Sequence, residues 1–296
     1  MTVTGDSGLA TGWTGGRPKV SELVGRVTDI LQNVPDAKRA ARDLLAALLD
    51  APRHWSVLHA DDDVDASLWD RAIAAAAKRA QGAPLAYAVG RANFRSLTLA
   101  VDERVLIPRP ETELLVELVL ARRSTGVAMD VGTGSGAIAI ALAKEGQYER
   151  VIATDVSEDA LEVAALNARG ACVALELHSV SRGTSHVGRS TCDVVVSNPP
   201  YIAYAEALQL PRDVRDWEPA VALFSGDNGL HTTREIVAGA ADSLKSGGLL
   251  ALEVDVRRAS LVAEMVATDG RYADVGIELD LTGRERFVLA TRRGDG

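Results

Sequence analysis

The 296-residue sequence is 47% hydrophobic and 25% charged, which excludes a fibrous repeat and a mainly disordered chain and leaves room for two domains or one large one. With 32 Lys and Arg against 41 Asp and Glu, a net charge of −9, the surface as a whole repels a nucleic-acid backbone, although a local basic groove remains open. No apolar stretch approaches the roughly 20 residues of a membrane-spanning helix, and the opening residues lack the basic and apolar regions of a secretory signal, so a cytoplasmic protein without membrane contact is expected.

Residues 1–18, rich in Gly, Thr and Ser with no apolar period, predict a disordered tail. From 19 to 82 the pattern is helical. Leu23, Val27, Ile30 and Leu31 share one face, Pro35 stops that helix, and Leu44, Leu45, Leu48 and Leu49 form the next face. Asp65 and Ser67 open a third run containing Leu68 and Ile73. Trp55 and Trp69 read as packing anchors of this small helical domain.

Residues 83–110 are bounded by Pro and Gly, and Phe94, Leu97, Leu99, Val101, Val105 and Ile107 mostly alternate, which predicts a β-hairpin linking two domains. Residues 111–296 alternate strand and helix patterns. Strands are expected at 127–131, 151–155, 173–177, 193–197, 249–254, 275–279 and 287–291, with helices near 136–144, 157–168, 231–244 and 259–267. This order predicts an α/β domain whose largely parallel sheet is covered by helices on both faces. Cys172 and Cys192 are too few for a disulfide framework and match no zinc spacing. His54, His59, His178, His186 and His231 are scattered and read as surface or locally satisfied residues.

Two loops in this domain carry chemistry. Asp130-Val131-Gly132-Thr133-Gly134-Ser135-Gly136 ends a strand and opens a helix. Its glycines permit a tight turn and close approach of a ligand, and N–H groups at a helix start favour electronegative atoms. The spacing is not that of a dinucleotide fold, and a tight turn with no ligand is the plain alternative. Asp155 ends the next strand, where its carboxylate could accept both hydroxyls of a ribose. Asp130 reads equally as a cofactor contact or as an anchor of the loop.

The second loop, Asn198-Pro199-Pro200-Tyr201, follows a buried strand and faces the same crevice at the carboxyl ends of the strands. Pro199 and Pro200 stiffen it. The Asn198 side-chain oxygen and the Pro199 carbonyl can accept the two hydrogens of a planar NH2 group, with Tyr201 as an aromatic wall. Holding both hydrogens favours the pyramidal geometry that frees the nitrogen lone pair, so fixed dipoles stabilise the transition state. A proline-rich turn in which Asn198 makes only a local bond is the plain alternative.

Together with Pro84-Leu85-Ala86-Tyr87, Gly90, Phe94, the run Ile107-Pro108-Arg109-Pro110-Glu111-Thr112-Glu113, Glu218-Pro219 and Gly226-Asp227-Asn228-Gly229-Leu230, these residues resemble the HemK/PrmC family of release factor glutamine methyltransferases. The likeness covers most of the chain from Pro84 onward. It implies a seven-stranded, Rossmann-like methyltransferase domain behind a small helical N-terminal domain and a connecting β-hairpin. It further implies that Gly132, Thr133, Gly134, Ser135, Gly136, Asp155 and Asn198 bind the cofactor S-adenosyl-L-methionine, with Asp130 kept beside them as a candidate contact. Asn198, Pro199 and Tyr201 would be catalytic, and with Pro200 would hold the substrate, with no metal. The implied acceptor is the glutamine of the Gly-Gly-Gln tripeptide in a peptide-chain release factor, a protein partner met by the helical domain.

Several positions depart from the family pattern. His178-Ser179-Val180-Ser181 offers no carboxylate near an adenine, Asp255 and Arg258 stand where Gly and Gln are common, and Asp213 replaces a Glu. Arg109 and Glu113 either shape the cleft or form a surface ion pair. Methyl transfer to a small-molecule amine, methyl transfer to the adenine of a flipped base, and cofactor binding without turnover are the competing functions. Direct nucleic-acid binding is not expected.

Overall fold

A computed structural model of the protein describes residues 17–180 and 188–294. Most of the expected tail at 1–18, much of the polar stretch 181–191 and the histidine His186 lie outside the described residues. The chain divides into two compact units, Met1–Val89 and Gly90–Gly296.

The first unit comprises α1 (Val20–Ile30), α2 (Ala37–Leu49), α3 (Trp55–Leu58), α4 (Ala66–Ala80) and α5 (Leu85–Val89). Its helices begin where side chains satisfy orphan N–H groups: Asp36 accepts from the Arg39 amide at the start of α2, and Asp65 from the Leu68 amide at the start of α4. Leu23, Val27, Leu44, Leu45, Ala72 and Ala76 form its buried core, and Trp55 and Trp69 pack half-buried against it. The helix α5 lies within the stretch read from sequence as hairpin linker, and its Tyr87 is fully buried.

The second unit opens with the antiparallel hairpin β1 (Arg91–Phe94) and β2 (Leu97–Ala100). There follow α6 (Pro110–Arg122), β3 (Thr125–Val131), α7 (Ala137–Glu145), β4 (Gln147–Asp155), α8 (Glu158–Gly170), β5 (Glu176–Ser179) and β6 (Cys192–Ser197). A single 3-10 turn (Tyr204–Gln209) and three short elements, α9 (Arg212–Trp217), α10 (Ala220–Leu223) and α11 (Gly226–Gly229), lead to α12 (His231–Ser243). The unit closes with β7 (Leu244–Glu253), α13 (Ala259–Thr268), β8 (Tyr272–Leu279) and β9 (Glu285–Arg292). Seven strands form one sheet in the order β5-β4-β3-β6-β7-β9-β8, parallel except at β9.

The alternation of patterns predicts the sheet correctly, although β4, β7 and β8 begin earlier than expected, at Gln147, Leu244 and Tyr272, and β5 and α6 differ as well. The strand expected at 173–177 is β5, two to three residues later. The chain leaves α8 through Cys172 at φ +57°, and the Val173 amide is used to close the helix end on Ala168, so pairing with β4 begins only at Ile152 opposite Glu176. The helix α6 shows no clean apolar period, because half-buried Leu114, Leu118 and Leu120 flank the buried Leu115, Val116 and Val119. It is buried on the sheet face that also carries α7, while α12 and α13 cover the other face.

Candidate active site

β3 and β6 are parallel neighbours, and Val131 pairs with Ser197, so the next residues, Gly132 and Asn198, emerge side by side at the carboxyl edge of the sheet. Ser197 fixes the junction by donating its hydroxyl to the Val131 carbonyl at 2.6 Å. A cavity of about 580 Å³ lies over this edge, and Gly132, Gly134, Asp155, Asn198, Pro199 and Pro200 all line it. Its remaining walls include Arg104, Val105 and Leu106 from the stretch after the hairpin, and apolar Val156, Ala160 and Val180.

The glycine loop is built differently from the sequence expectation. Four of its N–H groups are already used within the protein: the Gly132 and Thr133 amides donate to the Thr154 carbonyl, Gly136 to Thr133, and Gly134 to Asp155 Oδ2 at 2.9 Å. The parallel pairing of β3 with β4 brings the Thr154 carbonyl to the turn, where it takes two of these amides, and Gly132 and Gly134 line the cavity without side chains. Asp130 is fully buried and does not line the cavity. It accepts from Thr133 Oγ1 at 2.7 Å and from the Ala139 amide, and burial pushes its carboxyl up to about 7. Of its two readings, the geometry gives the anchor.

Ser135 and Gly136 also sit behind the cavity. The Ser135 carbonyl accepts from Asn167 Nδ2, and the same Asn167 side chain bonds both backbone groups of Ala100, tying the hairpin to the loop. Gly136 adopts φ +82°, and a Cβ there would press on Ile140 and Ala164, so it serves close helix packing. Asp155 stays at the cavity wall. It holds Gly134 and Ser157 amides, and burial raises its pKa above the ordinary carboxylate value.

Asn198 borders a second cavity as well, of about 210 Å³, with Leu106, Arg109, Pro199, Tyr201, Ile202 and Val214 among its walls. Pro200 is absent from that lining and Tyr201 from the larger one, so the tetrapeptide divides the two spaces. The Asn198 Nδ2 donates to Thr112 Oγ1 at 3.1 Å, and Thr112 donates onward to Glu253 Oε2 at 2.7 Å. Burial pushes the Tyr201 phenol well above its usual range, and the neighbouring Glu253 carboxylate adds to this, so Tyr201 is a neutral wall rather than a base.

The Ile-Pro-Arg-Pro run and Glu218-Pro219, distant in sequence, lock together here. Buried Glu218 accepts from Arg109 Nη2 at 2.6 Å and from the Ile107 amide. Arg109 therefore pairs with Glu218, and Glu113 instead receives the Arg95 amide at the tight turn of the hairpin. Gly229 approaches the Tyr201 carbonyl so closely that a Cβ would collide with it, and Arg258 holds this turn through the Asn228 carbonyl and Glu206. His178 does not line the larger cavity, where Val180 contributes instead, whereas His231 lies on its wall 3.5 Å from Glu235.

The sequence reading missed Thr112, Asn167, Ser197, Glu218 and Glu253 as supports. Only a polar residue embedded in an apolar strand end, as in Leu252-Glu253-Val254 or Val196-Ser197, signals such a role beforehand.

The cavity fits a nucleoside carrying a methionine arm. Gly132, at φ +73° with open space where a Cβ would stand, leaves room beside the strand end, Asp155 supplies a carboxylate at the end of β4, and Val156 and Val180 add apolar wall. Residues 110–210 match the family model described as methyltransferase small domain, and residues 22–90 that of the PrmC N-terminal domain. A protein of Mycolicibacterium smegmatis named release factor glutamine methyltransferase is 43% identical over 78% of this chain and 82% of its own length. One of Xylella fastidiosa with the same name is 37% identical, over 92% of this chain and 98% of its own. Among solved structures, a methyltransferase from Pyrococcus furiosus superposes with a TM-score of 0.51 at 22% identity, over 67% of this chain and 89% of that one, a likeness of fold. No helix among the described residues is long and apolar enough to cross a membrane.

Proposed function

The chain belongs to the HemK/PrmC family of release factor glutamine methyltransferases, and on that premise we propose that it methylates the side-chain amide nitrogen of the Gly-Gly-Gln glutamine in peptide-chain release factors. It is an S-adenosyl-L-methionine-dependent methyltransferase. When bound, that cofactor supplies an electrophilic methyl group on a sulfonium. The glycine face at Gly132 and Gly134 and the Asp155 carboxylate hold it in the larger cavity. The acceptor glutamine enters from the smaller cavity, where Tyr201 lies along its amide plane.

The observation that carries this reading is that Asn198 lines both cavities while its amide nitrogen is already committed to Thr112. The side-chain oxygen is thereby left to accept one hydrogen of an incoming amide, and the Pro199 carbonyl takes the other. With both hydrogens gripped, the nitrogen lone pair is turned out of conjugation and toward the larger cavity, a stabilisation made fully only in the transition state. The rigid prolines hold these acceptors without reorganisation. Substrate selection falls to surfaces outside this centre, including the N-terminal helical unit, whose contacts with a release factor supply remote binding energy.

The test is transfer of labelled methyl from S-adenosyl-L-methionine to separate acceptors: a release factor, its Gln-to-Ala variant in the tripeptide, small amines and DNA. Label on the release factor alone is expected. Equal labelling of the Gln-to-Ala variant, or label only on amines or DNA, rejects the acceptor.

A further inference from the structure

We propose that Thr112 and Glu253 are positioning residues that decide which end of the Asn198 amide faces the acceptor, an inference that rests on the methyl-transfer reading of this site. Three segments converge: Asn198 after β6, Thr112 in the first turn of α6 and Glu253 at the end of β7. Thr112 and Glu253 are 4% and 1% exposed, so water does not compete for their bonds. Oδ1 of Asn198 has no protein donor among the described residues, while Nδ2 has Thr112.

A hydroxyl has a single hydrogen. An ionised Glu253 only accepts, so the Thr112 hydrogen goes to Oε2, and the Thr112 oxygen can only accept in turn. The group it faces must then be the NH2 end of Asn198, which sends Oδ1 into the site. Reversing the charge state reverses the chain. A protonated Glu253 donates to Thr112, whose hydrogen is released to seek Oδ1. The amide then turns over and offers NH2 to an incoming NH2, donor against donor.

Burial pushes Glu253 up to about 7, against the Thr112 hydrogen bond; Arg286 of β9 and Arg109 before α6 oppose the rise, and Glu111 of α6 reinforces it. The phenol of Tyr201, next to Asn198 in the same loop, stays neutral and adds no charge. Lowering the pH through about 7 therefore releases the lock, and kcat falls on the acid side of the profile.

Two measurements test this. In 15N-labelled full-length protein without any acceptor, the Asn198 side-chain amide, assigned by its disappearance in Asn198→Ala, shifts as the pH passes through about 7 in the wild type and no longer titrates in Thr112→Val. In turnover, Thr112→Val lowers kcat by about tenfold or more with the cofactor dissociation constant held within about twofold. Thr112→Ser restores most of the loss, and Glu253→Gln, whose amide donates to Thr112, gives a low kcat with the acid limb of the profile gone. An Asn198 amide that ignores pH in the wild type, a Thr112→Val enzyme with normal kcat, or a Thr112→Ser variant no better than Thr112→Val overturns the proposal. A wild-type enzyme that ignores release factors defeats the acceptor assignment instead, because the amide titration reads the lock with no acceptor present.

Discussion

The glycine loop and the Asn198 loop leave adjacent parallel strands at the same level of the register, yet they are held by opposite means. The glycine loop is held through its backbone: the Gly132, Thr133 and Gly134 amides close on Thr154 and Asp155 at the end of the next strand, the Gly136 amide on Thr133, and the supporting carboxylate, Asp130, lies only three residues before Thr133. Asn198 is fixed from afar, by Thr112 at 86 residues' separation, and the adjoining wall by the Arg109–Glu218 pair at 109. A surface that recognises a small, invariant cofactor can be made of backbone. A site that must aim one polar atom at a reacting nitrogen needs side chains with defined donors and acceptors, and these come from wherever the fold brings them.

That contrast makes its largest prediction at Asn198 itself. Asn198→Ala removes the acceptor proposed to act in the transition state, so kcat should fall by about 10²- to 10³-fold. The cofactor dissociation constant should move little, since the glycine face and Asp155 remain. A stopped assay at saturating cofactor, set beside calorimetry, separates the two, and unchanged turnover removes Asn198 from the chemistry.

Next in size is Arg109→Ala. The arginine is partly exposed, but its partner Glu218 has a side chain only 1% exposed, so truncation strands a buried carboxylate with one backbone donor. Stranding a buried charge costs about 3 kcal/mol, far more than the loss of a surface ion pair. Thermal unfolding should show a clear destabilisation, and Glu218→Gln in the same background should recover part of it by removing the charge. A melting curve unchanged by Arg109→Ala would show that the pair behaves as a solvated surface contact.

The same contrast decides what the sequence discloses. The glycines, Asp155 and the Asn-Pro-Pro-Tyr run are contiguous, so their spacing points to a strand-turn-helix crevice and to an NH2-gripping loop. Periods of two and 3.6 residues suffice for the sheet, with β5 displaced because a left-handed Cys172 delays pairing and α6 blurred because Leu114, Leu118 and Leu120 flank its buried stripe. Local spacing carries no information on which distant residue meets which. Thr112 reads as one more residue of a helix start, and nothing near it announces Glu253, 141 residues on. The sequence leaves the loop amides looking free for the same reason, because the acceptors of Gly132, Thr133 and Gly134, the Thr154 carbonyl and the Asp155 carboxylate, belong to another strand.

A smaller effect is expected on the cofactor side. Asp155→Ala removes the carboxylate proposed for the ribose and the acceptor of the Gly134 amide together. Hydrogen bonds to a charged group are worth about 1.5–3 kcal/mol, so cofactor affinity should weaken roughly ten- to a hundredfold. At saturating cofactor, kcat should be much less affected than in Asn198→Ala. Calorimetry giving an unchanged dissociation constant would detach Asp155 from the ribose.

The smallest effect, and the sharpest division within the loop, lies between two of its glycines. Gly132 has φ +73° and open space where a Cβ would stand, so Gly132→Ala costs only the left-handed backbone, about 1 kcal/mol of stability. For a domain of this size that is a fall of roughly 2–4 °C in Tm. The added methyl enters the cavity lining, so cofactor binding should weaken as well. Gly136, at φ +82°, has Ile140 Cδ1 at 3.1 Å and Ala164 Cβ at 3.2 Å from the same position, so Gly136→Ala adds a clash between α7 and α8 to the backbone strain. It should therefore lower Tm further than Gly132→Ala. Because Gly136 faces the helices, the affinity of the protein that remains folded should change less. Should Gly136→Ala impair binding while Gly132→Ala leaves it untouched, the two faces of the loop have been assigned the wrong way round, and the cofactor lies on the helix side.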